Sequence, residues 1–519
     1  MAEWLSEANS VVHLALAQDN PQGKLTTISG PFPPSMTYAI FGEEEQIFGY
    51  KDLRITVNFR AHDMRPVIDI GYSAQFTPIG DVKPVDLKAA LANFFPASAL
   101  DKAADQEIET AHTEAQWTPP GDMVAEYQQD GRKFQIWRAS FLEHPEAKRI
   151  FHNMQVLVHL FIEGGTTDLL DEPDDSLGRW KIYFLYEVRP SPKFRIPYIF
   201  NGFCTTHQFW TFPHKEALIA LGIPGSIPVP GTSAPPESIA APFRPPIDET
   251  TGFYKQSSGL DSPSRLRISQ LIILPPFQRK GHGHRLYSTI FAEMHASKWT
   301  YELAVEDPSE EFDWLRDLHD YAFLLQYPEF AALSLPTTIP AAKFKPEAPI
   351  PLNDIVPQDV LKNLRLKSRI AKRQFHRIVE MHLLAQIPSL NRSRIRISKK
   401  AQTVNPDDRK YFYWCTYLKD RLYKRNSDVL IQLSDEERTR SLQAVVDAVQ
   451  GEYEERFEVM RKRGIAVGST TAQPAKGGAA TEPTPRKSMK RPVVDDDEES
   501  DDEAGAGADR PRGKTPRID

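Results

Sequence analysis

Cysteine is nearly absent from this chain of 519 residues, which contains only Cys204 and Cys415. Two cysteines so far apart cannot form a disulfide framework, and neither belongs to a CxxC pair of the kind that binds zinc. A reducing compartment inside the cell suits this composition best. The scarcity therefore argues against a small secreted disulfide scaffold and against a thiolate-bound zinc site.

Long apolar runs are missing as well. No window approaches the roughly 20 apolar residues that a membrane-spanning helix needs. The N-terminal segment MAEWLSEANS lacks the basic residues of a secretory leader, and the apolar stretch from Val11 to Ala17 is interrupted by His13. We therefore expect a protein of the cytoplasm and nucleus that does not contact membranes.

Negative charge is concentrated near the C-terminus. The run DDDEESDDE at 495–503 accounts for more than the whole net charge of −7, so the remaining body is near neutral to slightly basic. The segment 466–519 is dominated by Gly, Ala, Pro, Ser and charge, which predicts a disordered acidic tail. Basic runs such as 367–377 are typical of a solvated helix face, so we expect no direct binding of nucleic acid.

The chain length predicts three or four structural units. Residues 1–130 have the pattern of a mixed α/β domain, and 131–335 that of a core that a Pro-rich insertion at 222–250 interrupts. Residues 350–465 have helical spacing. Within the core, the order strand–turn–helix–strand–helix predicts a βαβα unit. The expected fold class is therefore α+β or α/β, with a helical C-terminal domain.

A glycine-containing basic turn, QRKGHG at 278–283, follows the apolar run Leu271–Leu274 and opens a predicted helix. Glycine permits positive φ and removes Cβ atoms from the surface of the turn. The first N–H groups of a helix have no helical partner, and with the helix dipole they suit a pyrophosphate. Arg279, Lys280 and Arg285 add positive charge. The pattern therefore predicts an anion site.

Several interpretations of this turn compete. A Rossmann fingerprint needs a third glycine and a Walker loop needs Gly-Lys-Ser/Thr, and both features are missing here. A metal site built on His282 and His284 would need further ligands, and none is evident in the sequence. The simplest alternative is an ordinary strand–helix turn without a ligand.

The pattern Q-x-x-G-x-G after a strand resembles the acyl-CoA loop of the GNAT acetyltransferases. A larger set of segments resembles the fungal catalytic subunits of type B histone acetyltransferases: RISQLIILPPFQRKGHGHRLYSTIF, AVEDPSEEFDWLRD, FGEEEQIFGYKDL, and FIEG with RWKIYFLYEV. The resemblance covers roughly residues 1–460 and is weakest in the Pro-rich insertion and the helical C-terminal part. It implies a GNAT core and an acetyl-CoA-dependent lysine acetyltransferase.

The same resemblance implies where acetyl-CoA binds. The strand at 271–274 would diverge from the strand at 301–305, and acetyl-CoA would lie in the wedge between them. Its pantetheine would pair with the strand edge at Leu271, Ile272 and Ile273. Its pyrophosphate would lie on the turn, at Gln278, Arg279, Lys280, Gly281, His282, Gly283 and His284. No metal is expected.

A lysine amine has an unperturbed pKa near ~10.4, so it must lose a proton before it attacks a thioester. Direct transfer in a ternary complex therefore requires a general base. The resemblance implies that Glu306 is this base, with Asp307 as its neighbour or alternative, and that Glu163 is a second acid of the active-site region. From the residues alone, Asp307 also suits a cap for the helix that begins near Pro308, and Glu163 suits a solvated loop acid.

The resemblance further implies a substrate and partners: newly made, free histone H4 with H3, and a histone chaperone that is a WD40 propeller. Glu43, Glu44, Glu45 and Trp180 would contact the H4 tail, and Phe253 and Tyr254 would line the groove. An exposed turn and a core aromatic are the plain alternatives for the Glu run and for Trp180. Two other functions stay open. One is a GNAT enzyme for another protein or a small amine, and the other is a non-catalytic histone-binding subunit.

Overall fold

The structure of the protein is a computed structural model that describes residues 2–20, 25–100, 117–211, 215–222, 263–345, 348–397 and 404–468. Three predicted features lie wholly or largely outside these residues. They are the Pro-rich insertion at 222–250, the acidic tail at 466–519, and the groove residues Phe253 and Tyr254.

The described strands and helices are interspersed along the first two thirds of the chain, in agreement with the predicted mixture of α and β structure. The strands are β1 (Leu5–Glu7), β2 (Val12–Asp19), β3 (Leu25–Thr27), β4 (Gln46–Phe48), β5 (Tyr50–Lys51), β6 (Arg54–Arg60), β7 (Pro66–Gly71), β8 (Ala74–Gln75), β9 (Asp122–Gln129), β10 (Arg132–Ser140), β11 (Trp180–Val188), β12 (Tyr198–Trp210), β13 (Ser264–Ile273) and β14 (Thr300–Val305).

Helices dominate the last third of the described chain. The helices are α1 (Ala8–Val11), α2 (Tyr38–Phe41), α3 (Leu87–Ala92), α4 (Pro145–Met154), α5 (Val156–Phe161), α6 (Asp174–Leu177), α7 (Lys215–Leu221), α8 (His282–Ala296), α9 (Glu310–Leu324), α10 (Pro328–Ala331), α11 (Leu352–Ile355), α12 (Gln358–Ser368), α13 (Lys372–Ala385), α14 (Pro406–Arg425), α15 (Ser427–Leu430) and α16 (Asp435–Lys462).

The central sheet has six strands in the order β14-β13-β12-β11-β10-β9. All neighbours are antiparallel except β13 and β14, which run parallel. Strand β11, WKIYFLYEV, is buried along most of its length because aromatic and β-branched side chains pack on both faces. The βαβα unit predicted from the sequence is present as β13, α8, β14 and α9.

The sheet begins before the predicted domain boundary at residue 130. Asp130 and Gly131 both have positive φ, 49° and 71°, and they join β9 to β10 in a tight hairpin. Two consecutive positive φ angles are typical of the turn whose twist matches that of its flanking strands. Strand β9 therefore belongs to the central sheet with β10.

A second, four-stranded sheet in the order β3-β2-β6-β7 lies in the N-terminal part. Strands β6 and β7 are antiparallel partners, as the alternating sequences at 53–57 and 65–76 predict. The backbone of Phe200 in β12 donates a hydrogen bond of 2.7 Å to Ala61, just beyond β6. The N-terminal sheet is thus joined directly to a central strand.

A buried ion cluster ties the C-terminal helices to α9. The carboxylate of Asp317 in α9 accepts hydrogen bonds from Gln374 and Arg377 in α13 and from Arg456 in α16. Asp317 and Arg456 are fully buried. Burial alone would raise the pKa of Asp317, but Arg377 and Arg456 outweigh it and hold that pKa below its ordinary value. We call this the Asp317 cluster.

The outer edge of β14 is covered by residues that follow α12. The backbone N–H of Leu303 donates to the carbonyl of Arg369 at 3.0 Å, and Leu303 forms an isolated parallel bridge with Ile370. Arg369 has a left-handed backbone, with φ of 54°. Its Nη1 donates to four carbonyl oxygens at the end of α8 and the start of β14, those of Met294, His295, Ser297 and Thr300.

Candidate active site

Strands β13 and β14 pair over only half the length of β13. Their register runs from Ser264 opposite Thr300 to Ile268 opposite Val305, and the backbone of Glu306 then donates to Ile268 at 2.9 Å. Beyond that point β13 continues to Ile273. Among the described residues, no strand pairs with this second half on the β14 side. The two strands therefore leave an opening between them, with Glu306 at its start.

On its other side the second half of β13 is firmly held by β12. Leu271, Ile272 and Ile273 lie opposite Cys204, Phe203 and Gly202. Gly202 has no room for a side chain, since a Cβ there would lie 2.3 Å from the carbonyl oxygen of Ile272. The three residues predicted to pair with pantetheine thus belong to a fixed strand with one open edge.

A register shift in β13 changes which side chains share a face. Thr205 lies opposite Gln270, but Thr206 lies opposite Ile268, so one residue of β13 is extra between these pairs. Such a bulge moves the side chains after it to the other face. As a result Arg267, opposite His207, and Gln270, opposite Thr205, lie on the same face of the sheet.

The basic turn lies at the far end of β13. The side chain of Gln278 folds back and donates to the carbonyl of Ile273 at 2.7 Å. Arg279 and Gly281 both have positive φ, 59° and 83°, and the N-terminus of α8 after them has no side-chain cap. Gln278, Arg279, Lys280 and Gly281 are exposed. The turn therefore presents uncapped helix N–H groups beside exposed cationic side chains.

The two histidines of the turn do not face this surface as charged groups. His282 is buried, its Nδ1 lies 2.8 Å from the hydroxyl of Tyr127, and its ring packs on Phe134 at 4.5 Å. Burial lowers the pKa of His282. Burial, with nearby cations, lowers the pKa of His284 to about 4. Their rings serve packing, so an anion at this turn would meet their backbone groups.

The carboxylates at the end of β14 are exposed. Glu306 forms an ion pair with Arg267, with 3.2 Å between Oε2 and Nε. Asp307 has a backbone φ of 32°, which is rare for a residue with a side chain. The alternative that Asp307 caps the next helix is wrong, because Ser309 is the cap and its hydroxyl accepts from the N–H of Phe312 at 3.2 Å. Asp307 thus remains free of that structural role.

Glu163 lies in the exposed loop after α5. This loop contacts β13 beside the opening, since the amide of Gln270 donates to the carbonyl of Thr166 at 2.8 Å. The N–H of the adjacent Gly164 donates a hydrogen bond to the hydroxyl of Tyr38 at 2.9 Å. The loop that carries Glu163 is therefore attached to the second half of β13.

A row of rings leads from Trp180 towards Glu306. Trp180 is 7% exposed, its Nε1 donates to Glu172 at 3.0 Å, and its ring lies 4.7 Å from that of His207. The ring of His207 lies 4.3 Å from that of Phe209. The guanidinium of Arg267 lies 4.2 Å above the Phe209 ring. We call these four residues, Trp180, His207, Phe209 and Arg267, the ring row.

The three glutamates of the N-terminal loop differ in their surroundings. Glu43 and Glu44 are exposed. The carboxylate of Glu45 instead accepts hydrogen bonds from the backbone of Thr37 at 2.5 Å and from the amide of Asn9 at 2.8 Å. Glu45 therefore holds the loop, and Glu43 and Glu44 carry the charge that a ligand would meet.

Comparisons with known proteins agree on one family. The model described as "Histone acetyl transferase HAT1 N-terminus" matches residues 4–163, and the one described as "Fungal HAT1, C-terminal" matches 344–387. A protein of Aspergillus fumigatus named "Histone acetyltransferase type B catalytic subunit" is 35% identical over 96% of this chain and 86% of its own length. Proteins of the same name from Gibberella zeae and Pyricularia oryzae are 34% and 37% identical, over 95% and 90% of this chain and 99% and 93% of their own lengths.

The chain belongs to the family of type B histone acetyltransferase catalytic subunits. It is an acetyltransferase, and acetyl-CoA is the co-substrate that this activity implies. No helix among the described residues is long and apolar enough to cross a bilayer, and no group of three potential ligands there is arranged for a metal ion.

Sequence reasoning did not identify several polar residues of this acetyltransferase that lie in the ring row, beside it or on the second half of β13. They are Glu172, His207, Arg267 and Gln270. The sequence did contain one signal for Arg267, because Arg265 and Arg267 alternate with apolar residues in the first half of β13. The bulge between Ile268 and Gln270 carries no mark in the sequence, so the face shared by Arg267 and Gln270 could not be derived from alternation.

Proposed function

We propose that this chain transfers the acetyl group of acetyl-CoA to lysines in the N-terminal tail of newly made, free histone H4. The observation that carries the proposal is the opening between β13 and β14, with exposed carboxylates at one end and the uncapped, basic turn at the other. A GNAT core is the arrangement that this opening supports.

Acetyl-CoA fits this opening by the chemistry of its parts. The open edge of Leu271, Ile272 and Ile273 supplies backbone groups for the amides of pantetheine. The N–H groups of the turn from Gln278 to His284, with the charges of Arg279 and Lys280, suit the pyrophosphate. When bound, acetyl-CoA supplies a thioester carbonyl activated for attack by an amine.

The reaction proceeds by direct attack in a ternary complex. The lysine amine attacks the thioester carbonyl, an N–C bond forms, and the C–S bond breaks to release coenzyme A. Glu306 accepts the proton that the amine loses, because its exposed carboxylate stands where the strands separate. Asp307 is its neighbour or alternative. Glu163, on the loop attached to β13, contacts the substrate or assists removal of the proton.

Carboxylates and the ring row recognise a basic histone tail. Glu43 and Glu44 are exposed acids suited to Lys and Arg side chains, while Glu45 keeps their loop in place. Trp180 is largely buried, so its contribution is a packing surface backed by Glu172. We expect Phe253 and Tyr254 to line the same groove.

The proposal extends to partners and location. We expect H4 to be presented together with H3, and we expect a WD40-propeller histone chaperone to act as the second subunit. The composition favours cytoplasm and nucleus. Acetylation before chromatin assembly requires the substrate to be free histone.

The test is an acetylation assay with labelled acetyl-CoA and a panel of free histones, nucleosomes and polyamines. The proposal requires label on free H4. Label on polyamines alone would instead indicate a small-amine acetyltransferase. Glu306→Gln is expected to leave the affinity for acetyl-CoA nearly intact and to slow transfer by roughly 10²–10⁴-fold, the usual contribution of a general base. Binding of acetyl-CoA without transfer, unaffected by Glu306→Gln, would select a non-catalytic histone-binding subunit.

A further inference from the structure

Strand β13 carries two arginines that each form an ion pair with an acid of β14. Arg265 Nε lies 2.8 Å from Glu302 Oε1, within the paired half of the two strands. Arg267 Nε lies 3.2 Å from Glu306 Oε2, at the place where the strands separate. The same strand thus offers one ion pair beside the opening and a similar one away from it.

The side chain of Arg267 is held in place independently of Glu306. It is 19% exposed, and its guanidinium lies 4.2 Å above the ring of Phe209. A planar guanidinium on an aromatic face combines a cation–π attraction with a fixed orientation. Glu306 is 42% exposed and depends on Arg267 for a partner. The arginine is therefore the fixed member of the pair, and the carboxylate is the one that is positioned.

A fixed cation beside the opening has two effects on the reaction. It attracts a neighbouring carboxylate and so keeps that group at the opening. It also disfavours a second cation nearby, which here would be the ammonium form of the incoming lysine. The first effect places the base, and the second favours the neutral amine that direct attack requires.

We propose that Arg267 is a positioning residue for acetyl transfer, which fixes the Glu306 carboxylate at the opening and favours the neutral form of the acceptor amine. This inference rests on the proposed function, in which Glu306 takes the proton. Arg267 need not touch the acetyl group, because it acts through Glu306 and through its charge.

Other ionisable groups around Arg267 do not supply the same charge. His207, opposite Arg267 on β12, is held neutral, since burial, with Arg267 and Arg179, lowers its pKa to about 4 despite Glu172. Asp307 follows Glu306 at the end of β14. The charged groups beside Glu306 are thus Arg267 and Asp307, and Glu172 and Arg179 act on His207.

The experiment measures kcat and kcat/KM from pH 6 to 9 with acetyl-CoA and a synthetic H4 N-terminal peptide. The full chain is compared with Arg267→Gln, Arg267→Lys and the matched control Arg265→Gln. Arg267→Gln is expected to lower kcat by about tenfold to a hundredfold. It should also move the acidic limb of kcat, which reports the enzyme–substrate complex, to higher pH, because the ammonium form of the bound lysine is then no longer disfavoured by a nearby cation. Arg267→Lys keeps the charge, so the acidic limb of its pH profile should lie at the same pH as in the wild type. Arg265→Gln should keep the wild-type profile.

A lower kcat with an unmoved limb in Arg267→Gln would overturn the proposal, because a purely structural role predicts that result. An equal shift in Arg267→Lys would overturn it as well. Should Arg267→Gln fail to fold, Arg267→Met removes the charge and keeps the apolar stem of the side chain, and it should show the same shift of the acidic limb of kcat. Glu306→Gln separates the two proposals. If it retains full transfer, the assignment of the base fails. If it is slow while Arg267→Gln behaves as wild type, only the role of Arg267 fails.

Discussion

Replacing Asp317 with Asn tests whether the C-terminal helices are locked to α9 by the Asp317 cluster. The substitution keeps size and shape but removes the negative charge. Asn retains one acceptor oxygen where the carboxylate now serves Gln374, Arg377 and Arg456. Two arginine side chains then lose their shared counter-ion inside the protein.

The expected loss follows from what remains near those arginines. Removing one partner of a buried ion pair typically costs about 3–5 kcal/mol. Glu452 still contacts Arg456 at 2.9 Å and Arg377 at 2.8 Å, which softens the effect. We therefore expect the free energy of unfolding to fall by about 3 kcal/mol, the lower end of that range.

Urea denaturation at pH 7 measures this loss, with Glu458→Gln as the control. Glu458 pairs with Arg461 at 2.7 Å on the surface and is 66% exposed, so its loss should cost roughly 0.5 kcal/mol or less. A decrease below about 1 kcal/mol for Asp317→Asn would refute the reasoning. Because the pKa of Asp317 is lowered in the folded protein, its contribution is present above the unfolded aspartate pKa of ~3.9 and is lost as the pH falls through the lower, folded value.

Two further predictions concern the substrate loop and acid sensitivity. Glu43→Gln with Glu44→Gln should raise KM for an H4 peptide severalfold without changing the melting temperature, whereas Glu45→Gln should lower the melting temperature; an opposite pattern would place the recognition charge on Glu45. Burial lowers the pKa of five described histidines to about 4, namely His62, His207, His284, His376 and His382. They resist protonation when folded, so the free energy of unfolding should fall as pH decreases from ~6.5 towards 4. His382→Gln should flatten that slope in urea titrations, and an unchanged slope would contradict this origin.

The elements of the core could be predicted because their signals are local. Strand β11 has a dense run of aromatic and β-branched residues, and α8 has apolar residues at helical spacing after a glycine. Ser434 and Glu437 predict the start of α16, and the structure has the complete capping box there. Such patterns depend on neighbours in the sequence, so the sequence contains them in full.

The details of the site depend on contacts between distant residues, and the sequence does not contain these directly. Ser309 and Asp307 are both good caps by composition, and only the positive φ of Asp307 and the bond from Phe312 decide between them. The burial of His282 depends on Tyr127, 155 positions away. The ion pair of Arg267 with Glu306 requires β13 to run beside β14 for only half its length.

The cover that Arg369 and Ile370 place over β14 bears on how this chain can be shortened. An uncovered edge strand exposes unpaired N–H and C=O groups that recruit other chains into aggregates. A fragment that stops at residue 335 would keep Glu163, Glu306, Asp307 and the whole basic turn. It would nevertheless lose the backbone that binds Leu303 and the guanidinium that closes the end of α8. A minimal catalytic fragment must therefore extend through the helices that shield this strand.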